Sequence, residues 1–299
     1  VANNPSDPRQ QYASTYFVQD RSNQEEMTRL AVQDRMITSG MGGVLPEQPA
    51  SSRFSRVLDV GCGTGGWLIE LAKTSPETTR LFGIDANHYM LEYAREQAKA
   101  AQVYERIEFH TMDALLILEF PQQYFDLVNM RFATPFMRTW DWPKLLTELL
   151  RVTRPGGVIR FTEYERITSN CQALLLLLQM AGNAFYRAGH LFAEGQTGAT
   201  FSECTIGVAH DLERLLRQYG IQDVQTHRSA QECSSGSPGS ESFAEDLRLG
   251  LRTIIPFLRK WGCLTDDYDT LYQEMLAAMQ RPDYVAGWSL ITAWGNKEL

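Results

Sequence analysis

Residues 56–67, Arg56-Val57-Leu58-Asp59-Val60-Gly61-Cys62-Gly63-Thr64-Gly65-Gly66-Trp67, read as a buried strand, a glycine turn and the opening of a helix. Gly61 and Gly63, one residue apart, let the backbone bend tightly and approach a ligand with no Cβ in the way. Downstream, the apolar run Leu81-Phe82-Gly83-Ile84 ends at Asp85, where a carboxylate can accept both hydroxyls of a ribose. The two features describe a nucleoside-binding site in an α/β fold. The competing reading makes Asp85 an N-cap for a helix starting near Asn87.

Gly61, Gly63 and Gly66 also satisfy the dinucleotide fingerprint, with an acid about 20 residues further on. Three details favour S-adenosylmethionine instead. Asp59, two residues before the first glycine, suits a cationic amino-acid end and would repel a pyrophosphate. The motif lies deep in the chain behind a helical segment, whereas dinucleotide folds usually begin with it. No Tyr-x-x-x-Lys pair supplies the proton relay of a short-chain dehydrogenase.

The chain resembles a class I S-adenosylmethionine-dependent methyltransferase over roughly residues 55–165. Residues 57–65 resemble the first motif of that family, and Gly83-Ile84-Asp85 its ribose-binding acid. Phe109-His110-Thr111-Met112-Asp113-Ala114 resembles the adenine loop. Phe125-Asp126-Leu127-Val128 is similar to the fourth strand, and Arg154-Pro155-Gly156-Gly157 to the turn entering the fifth. A second likeness runs from Tyr16-Phe17 through Glu25, Glu26, Arg29, Leu30, Gln33 and Asp34, similar to the N-terminal arm of methyltransferases of secondary metabolism. The resemblance implies S-adenosylmethionine as cofactor, leaving S-adenosylhomocysteine. It implies a binding site made of Tyr16, Asp59, Gly61, Cys62, Gly63, Asp85, Ala86, Met90, Met112, Asp113, Ala114 and Met130.

Length and composition set the bounds. A chain of 299 residues can hold one α/β domain with an added cap, or two small domains, and 43% hydrophobic residues can bury a real core. The formal charge of −8 argues against a nucleic-acid partner, which needs a basic face. Five cysteines with no Cys-x-x-Cys spacing fit reduced thiols better than a disulfide frame or a zinc site. The polar stretch Val1 to Gln10 lacks the apolar core of a signal peptide, and the longest apolar run is too short to span a bilayer. The expectation is a cytoplasmic protein without a membrane span. Its partner is a small-molecule acceptor, no metal ion is needed, and homodimerisation stays open.

Residues 1–45 read as an arm and helix forming a lid: Tyr12, Tyr16 and Phe17 in the arm, then a helix over 23–38 capped by Ser22 or Asn23. Gly40, Gly42 and Gly43 with Pro46 and Pro49 separate it from a Rossmann-like core over 46–164. There strands at 56–60, 80–84, 106–110, 124–130 and 157–163 alternate with helices at 65–74, 87–101 and 141–152. The strands are unbroken apolar runs, as expected when helices cover both sheet faces. Residues 165–207, with Leu174 to Leu178, form a helical cap insertion. Residues 208–299 complete the core with a helix at 208–219, a strand at 224–228, helices at 241–261 and 266–280, and a last strand at 288–294 pairing with the 224–228 strand. The fold expected is α/β, a mainly parallel seven-stranded Rossmann-like sheet with helices on both faces and a helical cap.

Chemistry beyond the cofactor is sparser. Glu163, Tyr164 and Glu165 end the fifth strand facing the cleft, and Glu163 and Tyr164 are candidates to deprotonate an acceptor or stabilise the sulfonium. Arg131, third of Asn129-Met130-Arg131 at the end of the fourth strand, is a candidate partner for a cofactor carboxylate or substrate acid; a plain salt bridge is the alternative. His110 is adjacent to the adenine loop but reads better as a satisfied strand-end residue. The leading reading is methyl transfer to an O, N or C atom of a small molecule, a natural product in class, by in-line displacement. Alternatives are a protein or peptide methyltransferase and a non-catalytic S-adenosylmethionine-binding regulator.

Overall fold

A computed structural model describes residues 16–18, 24–49, 54–78, 80–192, 203–205 and 207–299. Tyr12 and the proposed caps Ser22 and Asn23 lie outside the described residues. The elements run α1 (Gln24–Gly40), β1 (Arg56–Val60), α2 (Gly66–Thr74), β2 (Arg80–Asp85), α3 (His88–Ala100), β3 (Ile107–Thr111), β4 (Phe125–Arg131) and α4 (Trp142–Val152). They continue β5 (Thr153–Ser169), α5 (Gln172–Arg187), β6 (Glu203–Thr205), α6 (Leu212–Gln218), β7 (Gln222–Glu232), α7 (Ser240–Thr253), α8 (Ile255–Lys260), α9 (Tyr268–Met279) and β8 (Ala286–Asn296).

The sheet order is β3-β2-β1-β4-β5-β8-β7. The pairs from β3 to β5 are parallel, and β8 joins β5 and β7 antiparallel. The expected α/β sheet of seven strands is this path; the short β6 adds an eighth, antiparallel to the extension of β5. β1 lies between β2 and β4, so the chain changes direction across the sheet there, and the carboxyl ends of these strands frame a crevice.

Strand alternation divides the core. In β1, Leu58 and Val60 join the larger apolar cluster, while Val57 joins the smaller one with Trp67, Leu68 and Leu81. All of these are almost wholly buried, each contributing about 1.5–3 kcal/mol. Helix α4 shows why a surface element folds so: Pro143 sits in its first turn, and Trp142, Leu145, Leu146, Leu149 and Val152 form one buried stripe. The helix expected over 241–261 is two helices, α7 and α8, divided at Ile254 with Pro256 in the first turn of the second. A proline there has no N–H to continue the first helix.

Above the crevice, α1 packs against α7, and α5 packs against α8 and α9. The leucine run lies on α5, where Leu174, Leu175 and Leu177 are fully buried. Among the described residues no helix is long and apolar enough to cross a membrane.

Candidate functional site

A cavity of about 680 Å³ opens at the carboxyl ends of β1, β2 and β4 and continues beneath α1, α5 and α7. Gly61 and Gly63 take φ of +67° and +51°, a left-handed conformation in which other residues are strained. A Cβ on Gly63 would have nothing within 4 Å and would point into open space. At Gly61 it would lie 3.1 Å from the Phe136 ring, which packs over the turn. Gly66 has a different reason: a side chain there would collide with the Asp34 carboxylate from α1.

Asp85 closes β2 with its carboxylate facing the turn, accepting from Gly63 N (3.0 Å) and Asn87 N (2.8 Å). It does not cap α3. Asn87 does, its side-chain oxygen accepting from Tyr89 N. Ala86, Met90, Met112, Asp113 and Ala114 line the same end of the cavity, with Cys62 beside the turn. Asp113 also accepts from Leu115 N (2.8 Å), which fixes its loop. Burial pushes the Cys62 thiol well up, and the neighbouring Asp85 and Asp59 add to that, so the sulfur is a packed thiol.

Asp59 lines the cavity although only 4% exposed. Burial pushes its pKa up to about 7, opposed by the Arg131 guanidinium and a hydrogen bond from Asn129. Arg131 lines the cavity too, ion-paired with Asp34 and donating to Thr38 Oγ1 at 3.3 Å. The salt-bridge alternative for Arg131 is therefore present, but on the cavity wall.

Met130 is a correction. Asn129 and Arg131 project to one face of β4 and Met130 to the other, where it is fully buried with Val60 and Phe161 and lines no part of the cavity. Glu165 is another: it accepts from Ser289 Oγ (2.6 Å), Arg228 Nε and Arg166, away from the cavity. Burial presses its pKa upward, but those hydrogen bonds hold it below the ordinary carboxylate value. His110 likewise does not reach the cavity, its ring stacking 6.3 Å from Phe82.

Glu163 and Tyr164 do line it. Glu163 accepts from Ala133 N and from Thr134 Oγ1 (2.8 Å), so it clamps the loop leaving β4, and burial pushes its pKa up to about 7. That loop starts at Phe132, a non-glycine residue at φ +56°. His190 grips the same loop, its Nδ1 2.7 Å from Thr134 O, and burial lowers its pKa to about 4. Burial also raises the Tyr164 phenol well above its usual value, with Asp246 adding to the rise. It is a phenol, not a phenolate base. Tyr16, the arm residue expected at the cofactor, reaches the cavity with its hydroxyl given to Glu26.

The sequence assigned no site role to Phe136, Asn87 or Asp246, and placed Arg29 only in the arm likeness, yet all four line the cavity. Asn87 carried a signal, an asparagine just before a helix. The Arg29–Asp246 pair, 217 residues apart, carried none.

Residues 57–157 match the family described as methyltransferase domain. A demethylmenaquinone methyltransferase of Bacillus licheniformis is 35% identical over 176 residues, covering 57% of this chain and 72% of that protein. Its counterpart in Lactococcus lactis is 33% identical over 206 residues, covering 65% and 77%. Among solved structures, the [4+2]-cyclase SpnF superposes with a TM-score of 0.50 at 19% identity, covering 93% of this chain and 97% of that one. That likeness concerns the fold alone, and its cyclase activity is a reminder that reaction follows the site, not the fold. The two sequence relatives carry the assignment further: the chain belongs to the class I S-adenosylmethionine-dependent methyltransferases, enzymes that use S-adenosylmethionine as their cofactor.

Proposed function

We propose that this chain methylates a small, largely apolar acceptor enclosed under the cap. The observation that carries this reading is the continuity of the cavity. One end is the glycine turn with Asp85; the other is walled by Leu178, Phe185, Leu251 and Ile254 beneath α1, α5 and α7. A protein or peptide substrate calls for an open cleft, and this cavity is roofed.

The residues fit the cofactor. Gly63 leaves room for its close approach, Asp85 can receive its ribose hydroxyls, and Asp113 with Met90 and Met112 can hold its adenine. Asp59 and Arg131, opposite charges side by side, match the ammonium and carboxylate of its amino-acid end. The cofactor supplies a methyl group on a sulfonium, already activated for in-line displacement. What remains for the protein is alignment and exclusion of water. Glu163 holds the loop over the reacting region, and Arg131, bridged to Asp34, ties α1 down across it.

The relatives' name makes demethylmenaquinone the first acceptor to try, with ring-bearing natural products next. The five cysteines are free thiols, in keeping with a reducing cytoplasm. The test incubates purified protein with S-adenosylmethionine and these acceptors and follows acceptor mass. Transfer to one of them supports the reading. Transfer to peptides alone would replace it, and S-adenosylhomocysteine binding without any transfer would favour a regulator.

A further inference from the structure

The cap end of the cavity carries a charge pattern that bears on which acceptor enters. Arg29 on α1 donates to Glu26 through Nε (2.8 Å) and Nη2 (2.7 Å), and to Asp246 on α7 through Nη1 (2.8 Å). Gln33 Nε2 lies 3.3 and 3.2 Å from the two Asp246 oxygens, while Tyr16 and Thr253 donate to Glu26. Arg29, Gln33 and Asp246 face the cavity. Two carboxylates thus meet one guanidinium, and each carboxylate already has donors. Arg131, toward the glycine turn, is ion-paired with Asp34. Arg138 and Lys144 also line the cavity, both near enough to Asp141 to act on its carboxyl.

Two lining residues carry a buried polar atom without a partner, Arg138 at Nε and Tyr164 at its hydroxyl, and Tyr164 is the one beside Arg29 and Asp246. The Tyr164 hydroxyl is buried without a hydrogen bond of ordinary geometry: Gln33 approaches it as a hydrogen-bonding neighbour but gives its amide nitrogen to Asp246, and Arg29 and Asp246 are close enough to influence its acidity. Its ring packs on Phe132 with centroids 5.0 Å apart and planes tilted by 31°. A buried hydroxyl is costly to leave without a partner, so a ligand that supplies one is favoured.

Resting on the methyltransferase reading above, we infer that the cap end selects an uncharged, ring-bearing acceptor whose hydroxyl or carbonyl oxygen completes the hydrogen bond of Tyr164. Beside Tyr164 an anionic head group would meet the Asp246 carboxylate, with the Arg29 guanidinium already given to Asp246 and Glu26, in a setting of low dielectric. An ammonium would find carboxylates whose oxygens are already engaged, and would lose its hydration to reach them. A neutral oxygen pays neither cost. Phe17, Phe185, Leu247 and Ile254 supply the apolar wall for the ring.

The experiment uses the full chain saturated with S-adenosylhomocysteine and three matched probes: 1-naphthol, 1-naphthoate and 1-naphthylmethylammonium. Equilibrium dialysis near neutral pH should give 1-naphthol at least about tenfold tighter than either charged probe. Tyr164→Phe should weaken 1-naphthol about tenfold and leave S-adenosylhomocysteine binding within about twofold. The melting temperature of Tyr164→Phe confirms that it is folded. Equal or tighter binding of either charged probe overturns the inference, as does unchanged 1-naphthol binding in Tyr164→Phe or no binding of any probe. Failure of the wild-type chain to bind S-adenosylhomocysteine is a separate result, and it would remove the methyltransferase reading itself.

Discussion

Asn129 donates a 2.7 Å hydrogen bond to the Asp59 carboxylate while accepting one of 2.7 Å from Arg160. A guanidinium has only donors, so the amide oxygen must face Arg160 and its NH₂ must face Asp59. The three residues sit in register across β1, β4 and β5. Arg160, fully buried, continues the row to Glu47 at 2.7 Å, beyond the glycines that follow α1. The loop leaving the lid helix is thereby tied under the glycine turn.

Asp59 stays protonated below its pKa of about 7, and an ammonium ligand prefers the ionised form. Affinity for S-adenosylhomocysteine should therefore rise as pH climbs through about 7 and level off above it. Asn129→Leu should weaken binding about tenfold, about 1.4 kcal/mol, and move the midpoint upward, because Asp59 loses its donor. Calorimetry across this range checks both. A flat wild-type profile would place the ammonium away from Asp59.

Asp85→Ala should cost about 2 kcal/mol of S-adenosylhomocysteine binding, the loss of charge-assisted bonds to the ribose. The two backbone N–H groups Asp85 accepts also predict a loss of about 1 kcal/mol of stability in the ligand-free protein. Helix α3 should persist, since Asn87 caps it. A folded variant with wild-type affinity would reduce Asp85 to a brace for the turn.

Gly63→Val should abolish binding, because the new side chain occupies the open space at the turn. Strain at φ +51° adds about 1–2 kcal/mol of destabilisation. Retained binding in calorimetry would mean that the ligand never approaches this backbone.

How far the sequence could be read follows from the range of the interactions. Gly61, Gly63 and Asp85 were legible because the constraint is local: a turn that only glycine fits, then an acid at a strand end. Met130 was not, because β4 is buried on both faces and its apolar run hides which way each residue points. Glu165 looked like a second cleft carboxylate until its partners Arg228 and Ser289 came in from β7 and β8. Arg160 did carry a local sign, a lone arginine within the apolar Val158-Ile159-Arg160-Phe161. Its partner Glu47, 113 residues away, did not.

Glu163 gives a prediction about stability. Its carboxyl sits at about 7 in the fold against an ordinary value of 4.5, so the native state holds a proton that the unfolded chain releases. That contribution is complete below the ordinary value and is lost as pH rises to about 7. Asp59 and Asp246, also raised by burial, act with the same sign and together outweigh His190, whose lowered value acts with the opposite sign. Urea unfolding of the ligand-free protein should therefore show stability falling between about pH 5 and 7. Glu163→Gln should flatten the slope. A wild-type profile that rises over this window contradicts the assignment.

Arg29→Met tests the closure of the cap. The substitution keeps much of the side-chain volume but strips the guanidinium from Glu26 and Asp246, both almost wholly buried. Breaking a buried pair from one side typically costs about 3–5 kcal/mol, because the remaining charge is left without compensation. The loss should be regional, since the hydrogen bonds of Arg29 join α1 to α7. Amide exchange should accelerate together over 24–40 and 240–253, with β1 and β4 still protected. S-adenosylhomocysteine should still bind, more weakly, because Gly63 and Asp85 belong to the core. If α1 exchanges faster while α7 keeps wild-type protection, the two helices are not one closing unit.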